Sequence, residues 1–158
     1  MNVVTLQQLK DLGACSEQLQ LFEEKFGESV VVTLELCMEF AQEFGFRWAS
    51  RHLLPPKWQK EFDRVCDPAR AESHRVCVAA EMEYDRVCAV ARVEFRRVCD
   101  PAQPEYVQVC NAAWAEYRRV CAAARVESRR VCNAGWVEFA RVRAVVWAKE
   151  FLASNSGK

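Results

Sequence analysis

The sequence predicts an all-α protein. A small helical module spans residues 1–56, a long proline-kinked helix built on an eleven-residue repeat spans 57–153, and a disordered polar tail spans 154–158. Three observations lead there. Ordinary helix caps and stops punctuate the first fifty-six residues, Val-Cys then recurs every eleven residues, and a Glu three residues before an Arg recurs in the same phase.

In the module, Thr5-Leu-Gln-Gln8 has the capping-box pattern, and Gly13 is a plausible stop for the helix it opens. Ser16 begins a second helix over 17–26 that Gly27 ends. Val30 to Val32 read as a short extended linker. Thr33 begins a third helix, LELCMEFAQEF, stopped by Gly45, and FRWASRHLL runs to Pro55-Pro56, the hinge into the repeat. The predicted core of the module is Leu6, Leu9, Leu12, Leu19, Phe22, Leu34, Leu36, Phe40, Phe44, Trp48 and Leu53.

Val-Cys stands at 65–66, 76–77, 87–88, 98–99, 109–110, 120–121 and 131–132, and Val142-Arg143 closes the series. An arginine precedes the valine in every row except one, where Gln108 stands. A glutamate follows each cysteine by six residues, and the next position is Tyr84, Phe95, Tyr106, Tyr117 or Phe139, with Ser73 and Ser128 in two rows. One phase held over eight rows is a repeat and not chance. Eleven residues make three turns at about 3.67 residues per turn. Valine, cysteine, the aromatic and the alanine three before the glutamate then share an arc roughly 100° wide, enough for one packing face. The predicted self-association seam is Val65, Cys66, Val76, Cys77, Tyr84, Val87, Cys88, Phe95, Val98, Cys99, Tyr106, Val109, Cys110, Tyr117, Val120, Cys121, Val131, Cys132 and Phe139. In it the cysteine serves as a small hydrophobe.

Charge spacing supports the helix independently. Glu72–Arg75, Glu83–Arg86, Glu94–Arg97, Glu116–Arg119, Glu127–Arg130 and Glu138–Arg141 are i,i+3 pairs bordering the arc. Each is weak, but six in one phase specify one conformation. Pro68 and Pro101 share a row position and Pro104 lies three further on, all opposite the arc. There a proline removes one hydrogen bond and curves the rod with its packing face inward. The competing reading starts new helices at Asp67-Pro68 and Asp100-Pro101. With no glycine loop at either place, a kink is favoured over a chain reversal. Trp114, Trp136 and Trp147 share a further row position, so the apolar face broadens toward the C-terminus. Core packing explains this more simply than a ligand box, and the three indoles also form a candidate contact face.

The 22 Lys+Arg balance 22 Asp+Glu, which argues against a polyelectrolyte partner for the chain as a whole. The arginine-rich run over 117–143 is partly neutralised by the glutamate ladder, so nucleic acid is not an expected partner. No window has the length of apolar residues a membrane helix needs. MNVVTLQQLKDLG lacks a basic stretch before a long apolar core, so no signal peptide is expected. The nine cysteines then read as reduced thiols of a cytoplasmic protein.

Catalytic patterns are missing: no glycine-rich phosphate loop, serine elbow or C-x-x-C pair, and His52 and His74 have no metal-ligand spacing. Successive thiols on one helix lie about 16.5 Å apart, so no two on one helix share a metal or a disulfide. Only helices side by side would bring them into a ring for zinc or copper(I). No enzyme activity, metal or cofactor is expected.

The segment LKDLGACSEQLQLFEEKFG, with its Leu-x-x-Leu-Gly-Ala-Cys run over 9–15, resembles a small N-terminal module of many bacterial and phage proteins, some labelled as immunity proteins. The remainder is similar in periodicity to hendecad coiled-coil proteins, a resemblance that implies architecture and no chemistry. A helix of about 95 residues would extend roughly 140 Å and bear one apolar stripe it cannot bury alone. The expected role is a structural, self-assembling scaffold: a homo-oligomer formed through the repeat helix. The contrasting expectation is an inhibitor- or immunity-type module, its repeat helices folded back into a bundle that presents a face to another protein.

Overall fold

The computed structural model describes residues 2–100 and 107–156. Its elements, in chain order, are β1 (Val3–Thr5), α1 (Leu6–Asp11), α2 (Ser16–Phe26), β2 (Ser29–Val31), α3 (Leu34–Glu39), α4 (Phe46–Leu53), α5 (Pro56–Cys99) and α6 (Val107–Asn155). The protein is all-α apart from one antiparallel ribbon in which Val3 faces Val31 and Thr5 faces Ser29. Two units divide the chain: residues 1–71 with 137–158, and residues 72–136, so that α5 and α6 each contribute to both.

In the first unit the cap chemistry acts locally as the sequence indicates. Thr5 Oγ1 accepts the Gln8 N–H at 3.1 Å and Thr33 Oγ1 accepts that of Leu36 at 3.2 Å. Gly27 ends α2 at φ 69°, a backbone region that any side chain would strain. Three expectations need revision, the first being that Ser16 is the opening residue of α2 and not its cap, a place taken by Cys15 without a side-chain hydrogen bond. Val30 and Val31 are not a linker but part of β2, because the start of the chain returns to pair with them. The third helix stops at Glu39 instead of running to Gly45. The Ala41 N–H turns back to the Met38 carbonyl, and Gln18 holds the following turn by donating to Glu43 O and accepting from Gly45 N, each at 3.0 Å. This turn lets Phe44 stack on Phe26 while Phe40 meets it edge-on.

The core of this unit draws on both long helices. Phe22, Val32, Phe46 and Leu54 from the module are buried with Phe62 and Cys66 of α5 and with Phe139, Ala144, Trp147, Ala148 and Phe151 of α6. Ala144 and Ala148, one turn apart, have no exposed surface, so α6 approaches its neighbours through small side chains. Trp147 packs against Phe46 at 5.4 Å and stacks on Phe151 at 4.9 Å. Of the broadened apolar face noted in the sequence, only the Trp147 end is therefore part of a core; Trp114 and Trp136 are exposed.

The expected single rod over 57–151 is instead two helices of 44 and 49 residues, packed antiparallel in the second unit. Pro68 lies inside α5, which continues through it, so the first Asp-Pro does not start a helix. Pro101, Pro104 and Tyr106 lie outside the described residues. The chain reverses although no glycine stands between the two helices. Two halves of one stripe bury more surface against each other than either buries in water, and that gain favours folding back.

Candidate functional site

The second unit is a helical hairpin whose facing residues follow one rule. Each pair lies equally far, in sequence, from the peptide bond between Pro104 and Glu105. Cys77 and Cys132 face each other, each thiol donating to the other's carbonyl oxygen, at 3.9 and 3.8 Å. Cys88 meets the Cys121 thiol, and Cys99 meets that of Cys110. Phe95 meets Trp114 edge-on at 5.5 Å, and the ring of Tyr84 lies under the Arg125 guanidinium at 5.8 Å. Arg92 hydrogen-bonds Tyr117, the mirror of that Tyr–Arg pair.

Because each helix repeats every eleven residues, sliding one helix by eleven would again place cysteine on cysteine. The register is therefore selected by the residues that break the repeat. Trp114 meets Phe95, and arginine meets tyrosine at two levels.

Burial first, then contact with the facing thiol, holds Cys77 and Cys88 above the ordinary thiol range and pushes Cys99 up to about 11. Cys66 is pushed up to about 11 by burial, opposed by the nearby Arg143, which occupies the row position where an eighth cysteine would stand. The sequence argument that thiols on one helix are too far apart to pair remains true of each helix, but folding back brings them together in twos. Among the described residues no three potential ligands gather at one point. All nine thiols are free.

The predicted charge ladder is present. Glu83–Arg86, Glu116–Arg119 and Glu127–Arg130 are paired at 2.6 Å, Glu94–Arg97 at 3.0 Å and Glu138–Arg141 at 3.8 Å, with Glu72–Arg75 also in contact. Hydrogen bonds to the arginine hold the Glu83, Glu116 and Glu127 carboxyls below their usual range.

Burial sorts the predicted seam. Over 72–136, among the described residues, only Ser73 and Cys77 are buried. Val76, Val87, Val98, Val120 and Val131 are half-buried, as are Tyr84, Phe95, Tyr117 and the cysteines from Cys88 to Cys132, while Val109 is 47% exposed. Val65, Cys66 and Phe139 belong to the core of the first unit. Of the candidate contact face, Trp114 and Trp136 are exposed and Trp147 is buried. On one side of the hairpin Val87, Val90, Val98, Phe95 and Tyr117 line an open apolar groove of about 440 Å³, with Arg86, Glu94 and Glu116 on its walls. Val90, outside the predicted seam, is 54% exposed in that groove. Arg92 and Arg125 were also missed, because only the fold-back turns their row position toward the tyrosines.

No protein-family model matches the chain, and neither the curated proteins nor the solved structures give a significant match. Among the described residues no helix is long and apolar enough to cross a membrane.

Proposed function

We propose that the chain is a non-catalytic structural protein that self-associates through the open face of its helical hairpin. One observation carries this reading: folding back leaves part of the apolar stripe uncovered. Val87, Val98 and Val120 stay partly exposed along a groove that is also lined by Arg86, Glu94 and Glu116. Two helices offer each other one side each, and a stripe some 100° wide needs more cover than that. A second hairpin with the same valines and the same Glu and Arg is self-complementary to it, as a two-fold interface requires. The product would be a four-helix layer. Nine free thiols suit a reducing, cytoplasmic setting.

The fold-back itself favours a second reading, an inhibitor- or immunity-type module that offers the groove to a helix of another protein. Light scattering coupled to gel filtration separates the two. The first reading expects a multimer that Val90→Glu converts to monomer, since this places a charge in the groove without touching the thiol seam. A wild-type chain that remains monomeric at high micromolar concentration would remove the first reading and leave the second.

A further inference from the structure

The three thiol layers of the hairpin differ in what surrounds them. Glu81 adds negative charge beside Cys77, and Asp100 does so beside Cys99. The middle layer, Cys88 with Cys121, has Asp85 nearby but lies between two Tyr–Arg pairs. On one side Arg125 donates to the Tyr84 hydroxyl at 3.4 Å, and that hydroxyl hydrogen-bonds the Cys88 thiol. On the other, Arg92 hydrogen-bonds Tyr117, and its guanidinium lies within electrostatic reach of both thiols.

Neither arginine is committed to a carboxylate: among the described residues the ion pairs of the hairpin engage Arg75, Arg86, Arg97, Arg119 and Arg130. Both positive charges therefore remain available to the sulfur pair. Cys88 and Cys121 are each partly exposed, so an ion can reach them from solvent.

Zinc needs four donors, and among the described residues no three potential ligands meet. Soft monovalent ions such as copper(I) favour thiolate and are satisfied by two sulfurs on opposite sides. Binding one releases both thiol protons, changes no oxidation state and leaves a bis-thiolate complex with one net negative charge. Away from bulk water that charge needs a counter-charge. Arg92 supplies it at the middle layer, whereas Glu81 and Asp100 oppose it at the outer two. The geometry points to Cys88 and Cys121 as a two-coordinate site for a soft monovalent cation of the copper(I) class, with the Arg92 charge and the Tyr84 hydroxyl stabilising its two thiolates.

The test loads the reduced full chain, without oxygen, with one equivalent of copper(I) supplied as its acetonitrile complex. Free thiols are then alkylated with N-ethylmaleimide and mapped by mass spectrometry. Cys88 and Cys121 should be protected together, while the other seven of the nine thiols label as in the metal-free chain. Zinc(II) should leave both open, and X-ray absorption at the copper edge should give two sulfur neighbours. Arg92→Gln removes no sulfur and should weaken copper(I) affinity about two- to fivefold against a competing chelator. Cys121→Ser should expose Cys88 to alkylation at the same copper level. Protection spread evenly over the nine thiols would overturn the proposal, as would protection of either outer pair ahead of the middle one. Unchanged affinity in Arg92→Gln would reject the charge-balanced site. If Cys121→Ser loses its helical signal, the protection map of the wild-type chain decides. A copper-dependent rise in mass by light scattering would mean that the ion joins two chains, and would reject a site within one hairpin.

Discussion

The thiol of Cys77 and the thiol of Cys132, fifty-five residues apart in sequence, each point to the other's backbone carbonyl across the hairpin, at 3.9 and 3.8 Å. Mild oxidation of the protein with diamide should therefore form a Cys77–Cys132 bridge within one chain. Peptide mapping by mass spectrometry without reduction reads it directly. Bridges found only between chains would contradict the antiparallel register. Because burial and the facing thiol raise the Cys77 pKa, the reaction should accelerate as the pH rises.

Phe95 has Trp114 at 5.5 Å and Tyr117 at 6.1 Å, the densest aromatic contact of the second unit. Phe95→Ala should cost about 2 kcal/mol, less than a fully buried phenylalanine because the residue is partly exposed. Urea melts followed by circular dichroism would measure it, and a loss below half that value would mean the ring contributes little to the hairpin.

Gly135 lies inside α6, where glycine is a poor helix former. A Cβ added there would meet Ser73 Oγ at 3.5 Å and Val76 Cγ1 at 3.6 Å, ordinary contact distances. Gly135→Ala should therefore stabilise the protein by about 0.5–1 kcal/mol. Gly135→Leu should destabilise it, because a longer side chain meets the facing helix at the Ser73 carbonyl. Opposite signs in the two melting temperatures are the expected result.

Cys37 is 5% exposed, and burial pushes its thiol up to about 12 from an ordinary value of 9.0. A raised folded pKa stabilises the native state fully below the unfolded value, and that contribution is lost as the pH climbs from about 9 toward about 12. Wild-type stability should thus fall with alkalinity, and Cys37→Ala should fall less. Chemical denaturation at about pH 7 and about pH 10.5 compares the slopes, and parallel slopes would contradict a buried neutral thiol.

Much of the fold was legible in the sequence because it depends on local chemistry. Thr5 and Thr33 cap their helices, Gly27 stops one, and the Glu–Arg spacings became ion pairs, since each involves residues at most four apart. The fold-back was not legible, for a reason specific to repeats. An apolar stripe with one phase throughout matches a second chain and its own continuation equally well, so Cys77 carries no mark of Cys132 as its partner. The information that discriminates lies in the exceptions. Trp114, at a row position where three other rows carry arginine, marks one place where two rows touch. Trp147 was likewise grouped with Trp114 and Trp136 by row position, yet it is buried between Phe151, one turn along its own helix, and Phe46, which no periodicity connects to it. The apolar cavity of the first unit, lined by Trp147 with Phe40 and Phe44, depends on turns around those two phenylalanines that a helix-length pattern concealed.

The mirror symmetry about the Pro104–Glu105 bond also makes this architecture extensible. Copying one row into each arm of the hairpin would add a new sulfur layer and leave every existing neighbour in place, whereas copying a row into one arm alone would put Trp114 opposite the wrong side chain. Length in such a protein grows by matched pairs of insertions, and gene duplication could tune its reach like the rungs added to a ladder.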